Sequence, residues 1–450
     1  MDSRGSFDMN AYMRMIEGAK AAHLKARQYE GKKVLPWPAR EQVIARFMTG
    51  LIRMEAQRSS ISTSTAILPV YYLPCIFPSA ELKPIFISDL TLETHHRGCK
   101  ILLRVCTEIC RMTGLWMIAE DEYGAAISLH LQHQPEEKVI SARELLRKGT
   151  ILLLKEPYFK RASDGEHVLR VDHVSDIIWL QGQDVRIPFA WKPQNIGFDS
   201  TKARLAGDNY VRKSKLAIAS AQTPLDSGLA YYSRSHVNLL LGRPSSALDD
   251  VVAMKSKLEP TENGIFREAI CLYKLKKFDQ CYSKLQELRL LYPNNEKVQS
   301  EIVKATAKLR ECNEGIYDWK DMHRQAKNSP PLVDCGTFSR NVEVRQSPGK
   351  GRGLFTAKAV AVGELLLCEK AFAYCGLDKD AEQKETILLD INTTKILTTG
   401  QTGLLSRVVQ NLYHEPEMAA SFLDLHDGGH PTPQKDLQVD SKPVVDTYVS

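Results

Sequence analysis

The chain lacks any apolar run near the roughly 20 residues needed to cross a bilayer. Its longest, Ala66 to Tyr72 and Ile151 to Leu154, fall far short, so no membrane span is expected. The N-terminal stretch MDSRGSFDMNAYMRMIEG mixes charges and has no continuous apolar segment, which argues against a secretory leader and for the nucleus or cytoplasm. Closely spaced metal-ligand pairs are also missing. The 10 cysteines are scattered, and Cys106 and Cys110 make the one short pair without a second pair nearby. Reduced thiols are expected rather than a structural zinc. Six of them (Cys75, Cys99, Cys106, Cys271, Cys281, Cys368) sit in apolar or helical contexts, where a thiol behaves as a small hydrophobe. His95, His96, His130 and His133 have no third ligand at a definite spacing, read as polar or core histidines, and give no metal site.

Strong charge of one sign is absent as well. Sixty Lys and Arg face 54 Asp and Glu, a formal +6 over 450 residues. Residues 201–330 are more basic, 22 against 15, but no aromatic-interleaved basic stripe accompanies them. A solvated helical surface explains that excess better than nucleic-acid binding, which is not expected.

What is present divides the chain. At this length several domains are expected. Residues 1–60 show helical apolar spacing broken by the LPWP at 35 to 38, and Arg58 to Thr65, rich in Ser and Thr, reads as a mobile linker. Residues 80–195 change to short β-type runs such as KILLRVC, GLWMIAED and GTILLLKEPYF, separated by turn signals at Lys148-Gly149 and Asp164-Gly165. A small closed barrel of OB-like form is expected there, in a structural or docking role; an oligonucleotide-binding barrel would need aromatic platforms that cannot be placed.

From 197 to 325 the sequence repeats with a period of 34: Cys281 follows Ala247 by that interval, and Pro260 and Pro293 close successive units. Small residues (Ala247, Ala269, Cys281) let helices approach, while Tyr273, Leu285 and Leu288 fill the space between hairpins. An earlier unit begins at LAGDNYVRKSKLAIASA with Gly207 and Tyr210, and Glu296 to Lys327 reads as a capping helix. This segment resembles the tetratricopeptide repeat (TPR). The resemblance implies a helical solenoid whose groove binds a protein partner or substrate. Some TPR arrays clamp a carboxylate with asparagines; here Asp208 and His236 stand at those positions.

After NSPPLVDCG comes VEVRQSPGKGRGLFTAKAVAVGELLLCEKAFAYC, read as strands around a glycine-rich turn. It resembles the opening of a SET domain, most closely that of the SET and MYND group of protein-lysine methyltransferases. By that resemblance Lys350, Gly351, Arg352, Gly353 and Leu354 line a pocket for the cofactor S-adenosylmethionine. The domain's N-terminal part is placed at 338–425, with 386–425 read as helices of a variable insert, and 426–450 as a disordered tail. Residues 376–450 contain neither the family's Asn-His-Ser string nor a cysteine, so the zinc-binding MYND insertion is absent and no catalytic residue is assigned. The resemblance then implies either a truncated product or a sequence that continues in a downstream exon.

The strings SDLTLETHHRG and LRVDHVSDIIWL are similar to those of fungal TPR-SET proteins. The expected fold class is α+β and multidomain: barrel, TPR solenoid and partial β-rich SET domain. Two functions follow from it, a TPR-SET protein-lysine methyltransferase or a non-catalytic TPR adaptor. The sequence fixes no oligomeric state.

Overall fold

The computed structural model describes residues 9–56, 63–137, 139–162, 165–180, 184–192, 218, 221, 223–259, 261–328, 331–376, 385–425 and 437–448. In chain order the elements begin with α1 (Met9–Arg27), α2 (Arg40–Ala56), β1 (Thr63–Leu68), β2 (Lys83–Pro84), β3 (Thr94–His95) and β4 (Cys99–Val105). Then come β5 (Cys110–Arg111), β6 (Leu115–Glu120), β7 (Ala126–Leu131), α3 (Ala142–Leu145), β8 (Ile151–Lys155), β9 (Tyr158–Arg161), β10 (His167–Val171) and β11 (Ile177–Leu180). Helices α4 (Pro224–Leu240), α5 (Pro244–Lys255), α6 (Glu262–Lys274), α7 (Phe278–Leu291), α8 (Glu296–Glu314) and α9 (Trp319–Gln325) follow. The chain continues with β12 (Val342–Ser347), β13 (Gly351–Thr356), β14 (Glu385–Asp390), β15 (Lys395–Leu397), α10 (Thr399–His414), α11 (Pro416–Leu423), β16 (Gln438–Val439) and β17 (Lys442–Pro443). Two compact units result: Met1–Ile196 with Lys379–Ser450, and Gly197–Asp378.

The fold is α+β. In the first unit the apolar run of β8 is buried at every position, and it lies inside a ten-stranded sheet ordered β11-β8-β4-β6-β7-β10-β9-β3, with β2 on β4 and β5 on β6. Its core gathers Leu103, Leu115, Met117, Leu129, Leu152, Leu154, Phe159 and Leu169 on one face, each side chain contributing about 1.5–3 kcal/mol of transfer free energy. The expected closed barrel is corrected here: among the described residues the path ends at β11 and β3, and the sheet is open. The join of β7 to β10 is parallel, Ser128 opposite Val168 and His130 opposite Arg170, and strand spacing alone does not forecast such a pairing.

A second sheet corrects two further expectations. β1 pairs in parallel with β14 from Thr63↔Glu385 to Leu68↔Asp390, and β14 pairs antiparallel with β15. Thr63 to Thr65, read as linker, therefore lies in a strand, and TILLD, read as helix, is a strand whose Ile387 and Leu389 pack on Ile16 of α1. Within residues 394 and 425 helices do form, α10 and α11. The region expected as one SET half, 338–425, divides between the units after Asp378. Of the tail expected to be disordered, 426–436 lies outside the described residues, but 437–448 holds a small hairpin and buries Val445, Asp446 and Thr447.

The second unit starts with helices packed on their sequence neighbours, α4 on α5, α5 on α6, α6 on α7 and α7 on α8. Thr223 caps α4 by accepting from Asp226 N–H ahead of Pro224, Thr261 caps α6, and Asn295 caps α8. Gly315 ends α8 at φ 70°, where glycine avoids the steric penalty of a Cβ. Ala247, Ala269 and Cys281 are fully buried at the helix contacts, with Leu285 and Leu288 behind them. The earlier unit with Gly207, Asp208 and Tyr210 lies outside the described residues.

Candidate functional site

β12 and β13 form a two-stranded antiparallel ribbon running from Val342↔Thr356 to Ser347↔Gly351. Its turn is closed by Lys350 N–H donating to the Ser347 carbonyl at 3.0 Å. Gly349 and Gly351 hold φ of 72° and 75°, in the left-handed region that a side chain makes costly. A Cβ at either position would touch nothing within 4 Å. The glycines thus serve backbone conformation rather than a crowded contact, and they leave the main chain open to approach.

The five residues singled out by sequence all lie on this ribbon. Lys350, Gly351 and Arg352 are exposed, Gly353 is half-buried, and Leu354 is 57% exposed. Val344, which pairs with Leu354 across the ribbon, is exposed too, as are Phe355 and Val362. The Phe355 ring lies against Gly353, 3.0 Å from where a Cβ would stand. The nearby cleft of about 410 Å³ is lined by Asn313, Phe338, Arg340, Asn341, Lys358 and Glu364. There Asn341 Nδ2 donates to the Leu365 carbonyl at 2.7 Å, Lys358 reaches Glu364 at 3.1 Å, and Arg340 donates to Asn313 at 2.6 Å. Those side chains satisfy one another, and the cleft reads as support for the ribbon.

Sequence reading missed a buried polar cluster in the first unit. The string LRVDHVSDIIWL supplies Arg170, Asp172, His173 and Asp176, all buried. Arg170 donates to both Asp172 oxygens, at 2.8 Å from Nη2 to Oδ1 and 3.0 Å from Nε to Oδ2, and to the Ile67 carbonyl at 2.8 Å. The Tyr72 hydroxyl donates to Asp172 Oδ2 at 2.9 Å. Burial pushes the Asp172 carboxyl up, but the charge and hydrogen bonds of Arg170 outweigh it and hold the group down at about 2. Four residues on, Asp176 accepts from Cys75 N–H at 3.0 Å, and burial raises its pKa to about 6 against the pull of His173 and Lys155. Four ionisable groups inside an apolar strand string were the signal that could have marked this cluster.

The histidines of the other string are drawn into the same interior. His95 stacks on Tyr158 with ring centroids 4.0 Å apart, and His96 Nε2 accepts from Thr91 N–H at 3.1 Å. His130 stacks on Trp116 at 4.0 Å. Burial lowers the pKa of His95 and His130 to about 3 and of His133 to about 4, so all three are neutral at physiological pH. In the second unit His236 stands on α4, with its Nδ1 2.7 Å from Nη1 of Arg267; Asp208 lies outside the described residues.

No protein-family model matches the sequence. A protein of Gibberella zeae named "Methyltransferase" is 42% identical over 416 residues, which cover 89% of this chain and 57% of that protein. The chain therefore spans little more than half the length of this curated relative. Among solved structures, the Sec complex of S. cerevisiae aligns with 22% of this chain and 59% of its own at 20% identity and a TM-score of 0.21, a likeness that carries no argument.

Proposed function

We propose that this chain is part of an S-adenosylmethionine-dependent protein-lysine methyltransferase of the TPR-SET type, in which α4–α8 dock a protein partner and the β12–β13 ribbon contributes one wall of the cofactor site. The observation that carries this reading is the 42% identity to a protein named methyltransferase over 89% of the chain. Two features of the ribbon support it. Its backbone at Gly349 and Gly351 is open to a ligand, and the exposed residues Lys350 and Arg352 next to those glycines carry charge that suits a carboxylate. The exposed pair Val344 and Leu354, opposite each other across the ribbon, suits a face that further protein covers.

When bound, the cofactor supplies an electrophilic methyl group for in-line transfer to a deprotonated amine. The duties left to protein are orientation and charge dispersal. Lys350 to Leu354 would hold and orient the cofactor, while the lysine channel falls to residues beyond this ribbon.

Titration calorimetry with the demethylated cofactor tests the reading: saturable binding to the wild-type chain that Gly353→Trp abolishes is the expected result. Absence of binding by the wild-type chain would leave the second reading, a non-catalytic TPR adaptor. That reading has its own support in the ribbon's exposure, since four of the five residues, Lys350, Gly351, Arg352 and Leu354, lie at the surface, where they make a poor pocket on their own.

A further inference from the structure

The last described segment of the first unit, residues 437–448, is attached to it through side chains rather than by strand pairing. Among the described residues its hairpin, β16 with β17, joins no strand of either sheet. The hairpin turn puts Asp440 and Ser441 at φ of 52° and 60°, a conformation that aspartate tolerates better than most residues with a Cβ. Residues 426–436, which lead into it, include two glycines and two prolines, the composition of a connecting segment.

Two anchors hold the segment. At one end the Asp440 carboxylate accepts from the Ser79 N–H and from the Ser79 hydroxyl, each at 3.0 Å, and lies 3.8 Å from the buried Lys155 Nζ. At the other end the Thr447 hydroxyl donates to the Asp172 carbonyl at 3.0 Å, and the Thr447 N–H donates to His173 Nδ1 at 3.3 Å. His173 is set for that role by Tyr72, whose carbonyl accepts from Nε2–H at 2.9 Å and so leaves Nδ1 as the acceptor. Between the anchors the Val445 N–H donates to the Ser175 hydroxyl at 3.3 Å, and Asp446 accepts from the Tyr71 hydroxyl at 2.8 Å. The Tyr448 ring packs edge-on against Tyr71, Tyr72 and His173, with centroids 5.3, 5.9 and 5.6 Å away. Its hydroxyl is buried without a hydrogen-bond partner among the described residues. Short-range anchoring of this kind is how a folded domain holds an extended peptide.

We infer that residues 437–448 are a detachable strap, a peptide ligand held in cis by a recognition face of the first unit built from Tyr71, Tyr72, Ser79, His173 and Ser175. The face reads an acidic anchor at Asp440, the buried Val445 and the pair Thr447 and Tyr448. The tether selects the occupant, because a short connection holds a segment at an effective concentration on the order of millimolar. Release of the strap uncovers His173 and the Asp172 main chain, so the same contacts control the access of water to the Arg170–Asp172 pair. The inference concerns the first unit and does not rest on the cofactor reading.

Fluorescence polarisation of a labelled synthetic peptide spanning residues 437–450 is the test, titrated with the full chain and with a chain ending at Asp436. The shortened chain is expected to bind it saturably and the full chain about tenfold or more weakly, because its site is filled in cis. Against the shortened chain, peptides with Asp440→Asn or Tyr448→Ala are expected to lose about tenfold, and one with Gln438→Ala, at an exposed position, to stay within about twofold. A Tyr448→Phe peptide is expected to bind at least as well as the native one, since it removes a buried hydroxyl that has no partner among the described residues. Equal affinity of the two chains, no binding by a folded shortened chain, or undiminished binding of the Asp440→Asn peptide would each overturn the inference. Circular dichroism checks the fold. If the shortened chain does not fold, the full-length Tyr448→Ala chain takes its place, and loss of fold in both would show that the segment is integral and end the proposal. Hydrogen exchange gives an independent reading: the amides of 437–448 are expected to open about a hundredfold or more as often as those of β4 and β8, and opening of all three at one rate would overturn it.

Discussion

The buried string at 169–180 and the exposed string at 350–354 are both rich in charge, and the molecule uses them in opposite ways. In the first, the charges find buried partners: Arg170 pairs with Asp172, which also accepts from the Tyr72 hydroxyl, and Asp176 accepts from the Cys75 backbone. In the second, Lys350 and Arg352 stand at the surface of a ribbon held by glycines with positive φ. A charged motif in a strand is thus a structural element when the fold closes over it and a candidate ligand contact when the fold leaves it open. The string itself does not say which.

The comparison can be broken most severely at Asp172. Replacing it by Ala leaves the Arg170 guanidinium buried without its counter-charge, and a loss of about 3–5 kcal/mol is expected in chemical denaturation followed by tryptophan fluorescence. Four of the five tryptophans, Trp37, Trp116, Trp179 and Trp191, belong to that unit and report on it. If the loss is under about 1 kcal/mol, the pair is not structural and the contrast with the ribbon fails.

A finer test uses pH, because the two buried aspartates should act with opposite sign. The pKa of Asp176 is raised to about 6, so between roughly pH 4 and 6 the folded state keeps a proton that the unfolded chain has released, and its contribution declines as pH rises through that window. Asp172, held at about 2, contributes stability that is present above about pH 4 and is lost as pH falls towards 2. Asp176→Asn should therefore flatten the pH 4 to 6 slope in a series of denaturation curves and leave the acid limb below pH 4. An unchanged slope between pH 4 and 6 would remove Asp176 from the account.

The smallest effect is expected at the ribbon. Gly351→Val places a branched side chain at φ 75°, and a local loss of about 1–2 kcal/mol should appear as faster amide exchange over 342–356, with the first unit's denaturation midpoint unchanged. A shift of that midpoint would mean that the ribbon supports more than itself.

Legibility in the sequence followed the range of the interactions. Ala247, Ala269 and Cys281 were read as helix contacts because their spacing and size are local facts, and the fold buries all three. The glycine turn was legible for the same reason, since positive φ is a property of single residues. The segment TILLD was misread as helix because Leu and Ile suit either state, and the partner that makes it a strand, β1, lies more than 300 residues earlier in the chain. The Arg170–Asp172 pair was overlooked because burial of a charge depends on what folds across it.

By itself the sequence determined the α+β class, the helical and strand-rich stretches, the small-residue helix contacts and the turn at Gly349 to Gly353. Tertiary structure alone decided that the large sheet stays open, that β7 meets β10 and β1 meets β14 in parallel, that residues 437–448 join the first unit, and which charged string is covered. The physical reason is that propensity, period and capping act within a few residues, whereas strand partner, register and burial are set by segments far apart in the chain, whose encounter no local pattern encodes.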